Sequence, residues 1–138
     1  KRKDYSDICL KTDELKSLDQ SPLITIGSHT HTHPNLKNID SDEIKKEIDK
    51  SIYILENLLN HKIKHFSYPY GGKNEVSLKE IETIKKLTFD SAVTTLNYPT
   101  NDKNIFSLPR LYVGNDTCGK TLINHLTGFY NLFNFLFK

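Results

Sequence analysis

Three of the six histidines in this chain fall within five residues, in Ser28-His29-Thr30-His31-Thr32-His33-Pro34. Imidazole is the commonest metal-ligating side chain. Few large apolar side chains flank the cluster, which is unlike the setting of a core histidine. The spacing of His29 and His33 lets two rings converge on one metal from a helical turn or a tight loop, with His31 between them pointing elsewhere. A catalytic zinc takes three protein ligands plus water, so at least one further oxygen or nitrogen donor has to come from another segment. A rival reading has His29, His31 and His33 all converging on one ion, and a His31→Ala change separates the two.

Three further segments carry candidate chemistry. In Phe66-Ser67-Tyr68-Pro69-Tyr70-Gly71-Gly72 an aromatic run stops at a proline and two glycines. Such a turn either points backbone N–H groups into a cleft, the geometry of an oxyanion hole, or is an ordinary strand-to-loop turn. Ser107-Leu108-Pro109-Arg110-Leu111 places one arginine in an apolar stretch. A buried arginine there would meet a carboxylate or backbone carbonyls, for structural pairing or for active-site orientation alike. His125 adjoins a helical apolar pattern and is either a general acid or a packed or surface histidine. His61 and His65 flank a helix end and a strand start, where the helix dipole or exposure accounts for them.

The elements that position these residues are legible from periodicity. Residues 12–18 have near-helical spacing, ended by Asp19-Gln20-Ser21-Pro22. Residues 23–26, Leu-Ile-Thr-Ile, predict a short strand ending at Gly27, so the histidine cluster starts where a strand stops. Ile44, Ile48, Ile52, Leu55 and Leu59 recur at three and four residues and predict a helix capped by Asp40 or Ser41, ending at Asn60-His61. Residues 63–68 predict a second strand. Leu78, Ile81, Ile84 and Leu87 predict a helix with a Ser77–Glu80 capping box. Residues 91–96 and 105–113 predict third and fourth strands, the last interrupted by Pro109. Strands alternating with helices indicate an α/β fold with a largely parallel sheet.

Composition narrows the classes of function. The chain has 138 residues, with 36% hydrophobic and 26% charged side chains, which suits one folded domain, 1–138, and leaves no room for a second. Its 19 Lys and Arg are interleaved with 17 Asp and Glu, so nucleic acid is not an expected partner. Charged runs such as Asp42-Glu43-Ile44-Lys45-Lys46-Glu47 read as a solvated helix face. No apolar run reaches the roughly 18 residues of a membrane span. The aromatic tail, 129–137, reads as a docked terminal helix rather than an interfacial one, because it carries almost no positive charge. Cys9 and Cys118 have no CxxC partner and read as two buried free thiols, or as a disulfide if the fold brings them together. The chain begins at Lys1, contains no Met and shows no signal peptide, which leads to the expectation of a fragment of a longer product.

Taken together, Ile26-Gly27-Ser28-His29-Thr30-His31-Thr32-His33-Pro34-Asn35-Leu36, the following amphipathic helix, Phe66-Ser67-Tyr68-Pro69-Tyr70-Gly71 and Leu108-Pro109-Arg110 resemble the NodB-homology polysaccharide deacetylases in order and separation. The resemblance implies a partial or distorted (β/α) barrel, the C-terminal portion of such a domain. It implies His29 and His33 as ligands of Zn2+ or another divalent metal, with Thr30 shaping the loop and His31 at a variable position. It implies that Tyr70 donates its backbone N–H to the oxyanion, that Pro69 fixes the turn, and that Tyr68, Pro69 and Tyr70 line the substrate groove. Ser67 stands where many members have an arginine. Arg110 corresponds to the arginine that keeps the base aspartate charged, and His125 to the late histidine that protonates the leaving amine. The family's Thr-Phe-Asp-Asp motif, source of the base and of a third ligand, has no counterpart, since Asp4 and Asp7 lack its strand context. The implied reaction is hydrolysis of the acetamide of N-acetylhexosamine units in an N-acetylated polysaccharide, in an extracytoplasmic or cell-surface setting, with these 138 residues alone weakly active or inactive. The alternative is a non-catalytic carbohydrate-binding relic that keeps the groove aromatics.

Overall fold

The computed structural model describes residues 9–96, 104–110, 112–115 and 117–126. Helix α1, Thr12–Asp19, is closed at its start by the Glu14 carboxylate, which accepts the Lys11 N–H at 2.7 Å. A single 3₁₀ turn, Leu36–Asn38, leads into α2, Ser41–Leu59. The Asp40 carboxylate accepts the N–H groups of Asp42 and Glu43 at 2.9 and 2.8 Å, and Glu43 reaches back to the Asp40 N–H, a capping box that satisfies donors the helix itself leaves open. Asn60, in the left-handed region at φ 59°, ends α2. The predicted Ser77–Glu80 box starts α3, Leu78–Lys85, and α4 spans Gly119–Leu126.

Strands β1, His65–Ser67, and β2, Ser91–Val93, pair in parallel, His65 opposite Ser91 and Ser67 opposite Val93. Isolated parallel bridges extend the pattern on both sides, Ser28 to Phe66 and Val93 to Leu108. Each successive segment therefore lies one step further along, with α2 between Ser28 and β1 and α3 between β1 and β2, as in an arc of a (β/α) barrel.

The predicted strands at 23–26 and 105–113 are corrected by this arrangement: the first gives way to a single bridge at Ser28, two residues beyond it, and the described residues of the second bridge only at Leu108. Leu23 is 92% exposed, and Ile24 donates its N–H back to the Ser21 carbonyl in a turn. That turn takes the Ile24 N–H that a strand ladder would use. In the later segment a turn at Asn104–Ser107 and Pro109, which has no N–H, restrict pairing to Leu108.

Phe66 and Ala92 point from the sheet into a core with Leu36, Ile44, Ile48, Ile63, Tyr68, Ile81, Ile84 and Phe89. Phe66 stacks at a tilt on Phe89, centroids 5.3 Å apart, and meets Tyr68 edge-on at 5.2 Å. By strand alternation His65, Ser67, Ser91 and Val93 face the other way. There Thr25, Gly27, Ser28 and His29 join His65, Ser67 and Val93 around an open cleft of about 300 Å³. No helix among the described residues is long and apolar enough to cross a membrane. Cys9 and Cys118 are exposed free thiols, a correction to the buried pair expected, since neither is among the residues that form or pack against the core. The tail 129–137 and Asp4 and Asp7 lie outside the described residues.

Ile48 is fully buried, so Ile48→Ala is expected to destabilise the fold by about 2–5 kcal/mol in urea denaturation, through lost burial and the cavity left behind. His61 sits between the Lys62 carbonyl, 3.1 Å from Nδ1, and the Asp19 carboxylate, 2.8 Å from Nε2, the first of these being the larger influence, and both hold it protonated above its usual range. A raised pKa stabilises below the unfolded value and ceases to as pH rises through the folded one. The α1 amide NMR shifts should therefore titrate at a pH above that of an unperturbed histidine, and His61→Ala should abolish that movement.

Candidate functional site

The histidine loop hangs from Ser28. Its N–H donates to the His65 carbonyl at 2.8 Å, its carbonyl accepts the Ser67 N–H at 2.9 Å, and its buried hydroxyl meets Ser51 of α2 at 3.0 Å. Gly27 is needed just before it, because a Cβ there would stand 2.9 Å from the His65 carbonyl oxygen. Beyond Ser28 the loop is mostly exposed and takes left-handed backbone at Thr30, φ 66°, and His33, φ 59°. Such positions cost non-glycine residues about 1–3 kcal/mol each and persist only where the surroundings enforce them. The Thr30 hydroxyl accepts the His33 N–H at 3.1 Å, which closes the turn.

The turn brings His29 and His33 together, ring centroids 4.8 Å apart at 70°. His29 Nδ1 lies 2.7 Å from the Ser67 carbonyl. A carbonyl only accepts, so Nδ1 carries the proton and the lone pair of the neutral ring is on Nε2. Metal-binding histidines are oriented in this way by a partner on the other ring nitrogen. The pair thus offers two nitrogen donors suited to Zn2+ or a similar ion. Among the described residues no group of three His, Cys, Asp or Glu side chains converges, so His31 does not join His29 and His33 in one cluster.

Tyr70 faces the pair from the opposite wall, its ring 4.8 Å from that of His33. It is left-handed at φ 60°, followed by Gly71 at φ 66°. Thr95 holds this turn twice: its hydroxyl donates to the Tyr70 carbonyl and its N–H to that of Gly71, both at 2.9 Å. No acceptor among the described residues takes the Tyr70 N–H. The ring is 57% exposed and free to meet a ligand.

Two expected groove residues are corrected. Tyr68 is fully buried and its hydroxyl donates to the Phe106 carbonyl at 3.0 Å, so it has no face for a sugar. Burial, with the Glu80 charge adding, pushes its phenol far above the usual range. Pro69 is likewise fully buried and shapes the turn from below. The alternation of strand β1 carries on through these residues, which places Tyr68 on the side of Phe66. Arg110 is also corrected, being exposed rather than buried; its Nε donates to the Thr94 carbonyl at 2.9 Å. His125 falls in α4, and its side chain lies outside the described residues.

One residue that the sequence assigned to a solvated face belongs to the site. Glu47 accepts the N–H groups of His31 and Thr32 at 3.0 and 2.7 Å and the Thr32 hydroxyl at 2.9 Å. Its position three residues after Ile44 and four before Ser51 puts it beside the inward stripe of α2, a signal the helical period contains. Partial burial pushes its carboxyl up, but the Thr32 donors and the His31 N–H outweigh that and lower it overall.

Gly71→Ala is expected to destabilise the chain by about 1–3 kcal/mol and to disorder the Tyr70 turn, seen as lost Tyr70–His33 NOEs. Its Cβ would combine a left-handed φ with contacts of 3.0 Å to the Thr95 nitrogen and 3.1 Å to the Tyr68 carbonyl oxygen.

Similarity to known proteins bears on this arrangement. The chain is 28% identical over 102 residues to the peptidoglycan-N-acetylglucosamine deacetylase of Bacillus cereus, covering 74% of this chain and 36% of that protein. It is 43% identical over 47 residues to chitin deacetylase 2 of Saccharomyces cerevisiae, 34% of this chain and 15% of that one. Among solved structures it superposes on a Streptococcus pyogenes deacetylase in complex with acetate at TM-score 0.73 and 21% identity, over 84% of this chain and 50% of that one. A Bacillus cereus polysaccharide deacetylase superposes at TM-score 0.72 and 22% identity, over 86% and 37%. The chain therefore spans between about a third and a half of the length of these bacterial proteins. The superpositions establish the fold as part of the deacetylase (β/α) barrel. The polysaccharide deacetylase model matches residues 3–89, a stretch that takes in both the histidine loop and the Tyr70 turn, and the chain belongs to the polysaccharide deacetylase family.

Proposed function

We propose that this chain carries the histidine half of the metal site of a polysaccharide N-deacetylase, acting on the acetamide of N-acetylhexosamine units. The observation that carries the reading is the His29–His33 pair, with His29 Nδ1 committed to the Ser67 carbonyl and the Tyr70 ring against His33. The names of the two curated relatives, a peptidoglycan-N-acetylglucosamine deacetylase and a chitin deacetylase, favour an N-acetylglucosamine polymer as substrate.

His29 and His33 would hold Zn2+ through neutral imidazole nitrogens. When bound, such an ion supplies Lewis-acid polarisation of the acetamide carbonyl and activation of water. The exposed Tyr70 ring meets a sugar face, and the Tyr70 N–H is available to the negative charge that develops on the acetyl oxygen. The left-handed Tyr70 backbone is set before substrate arrives, so the donor needs no reorganisation during attack. Water adds to the acetyl carbon, the C–N bond breaks, and acetate and a free amine leave. His125 is assigned the proton for that amine. Arg110, with Nε on the Thr94 carbonyl, keeps its terminal nitrogens for the carboxylate of a base.

The rival is a carbohydrate-binding module that uses the same wall without turnover. Zn2+ affinity measured by chelator competition separates the readings. His29→Ala and His33→Ala are each expected to weaken binding by about 100-fold or more, and His31→Ala by no more than about twofold. Zn2+-dependent release of acetate from chitin oligomers by the whole protein supports the deacetylase. Oligomer binding unaffected by Zn2+ or by either histidine change, with no acetate released, supports the module instead.

A further inference from the structure

The loop between Ser28 and Pro34 has little packing of its own. His29, His31, Thr32 and His33 are exposed, and two of its residues are held in left-handed backbone. Its far end is gripped by one side chain. Glu47 Oε2 accepts two consecutive N–H groups, from His31 and Thr32, while Oε1 accepts the Thr32 hydroxyl. Consecutive N–H groups converging on one anionic oxygen form a nest, and charge-assisted bonds of this kind are about twice as strong as neutral ones. The carboxylate is itself anchored, because Ile44 and Ile48 on either side of it are fully buried in the core.

We propose that Glu47 is the positioning residue of the histidine pair: it holds the loop in the conformation that brings His33 to His29 and so sets the affinity for a divalent metal. The inference rests on the reading that these two histidines are metal ligands. Glu47 is not a third ligand, since both of its oxygens face Thr32 or His31 and no three-residue donor group among the described residues includes it. His29 is fixed through Ser67, whereas the His33 ring lies edge-on to the rings of His29 and Tyr70 and its N–H reaches only the Thr30 hydroxyl among the described residues, so its backbone follows where Thr32 is held.

The test is Zn2+ affinity of the chain by chelator competition, with thermal unfolding of each variant in the absence of metal. Glu47→Ala is expected to weaken Zn2+ binding about 10–100-fold, the range found for groups that orient ligands. Glu47→Gln is expected to recover most of it, because the amide oxygen still accepts both N–H groups and its NH₂ can donate to the Thr32 hydroxyl. Ile84→Val loosens the same core from α3 without changing a residue of α2 or the loop and is expected to leave affinity within about twofold. Wild-type affinity in Glu47→Ala overturns the inference and leaves the metal reading standing. An Ile84→Val chain that loses affinity in proportion to its stability also overturns it, by making the effect one of general loosening. A wild-type chain that binds no Zn2+ overturns the metal reading, and this inference with it.

Discussion

The site depends on the parallel bridge at Ser28. Its N–H and carbonyl pair with His65 and Ser67 of β1, and its buried hydroxyl reaches Ser51 of α2. One residue thereby ties the start of the histidine loop to the sheet and to the longest helix. The approach is so close that only glycine fits before it, with the His65 carbonyl 2.9 Å from where a Cβ would be. Because the Ser67 N–H binds Ser28 while the Ser67 carbonyl binds His29, the same peptide segment sets both the loop's origin and the tautomer of its first histidine.

The remainder of the site consists of strained turns held from outside. Thr30, His33 and Tyr70 are left-handed without being glycine, and each is restrained by polar contacts rather than by burial. Glu47 reaches the loop from α2, and Thr95 reaches the Tyr70 turn from beyond β2. Side-chain oxygens and backbone groups that would otherwise face water are thus used to fix backbone against its local preference, which is how preorganised sites are commonly built.

The sheet divides labour between its faces. Phe66, Tyr68 and Ala92 belong to the helix-packed core, whereas His65, Ser67 and Val93 turn to the cleft that also admits Thr25 and His29. Within Tyr68-Pro69-Tyr70 the two tyrosines have opposite fates: the first is fully buried with its hydroxyl on a core carbonyl, the second stands in the open against His33.

Much of this was legible in the sequence. The apolar period of α2 and its Asp40 cap, the Ser77 box of α3, the order of helices and parallel segments, and the pairing of His29 with His33 rest on local spacing and on hydrogen bonds between near neighbours. These are properties a short stretch of chain carries with it. What tertiary structure alone decided are the long-range contacts: Ser67 orienting His29, Glu47 gripping Thr32, Thr95 holding Tyr70, and the burial of Tyr68 against the exposure of Arg110. The strand segments near residues 24 and 108 shortened for the same reason, since a strand exists only where a partner supplies its hydrogen bonds. Periodicity states which face of an element is apolar, but the identity of the residue across from it is settled only when the chain closes on itself.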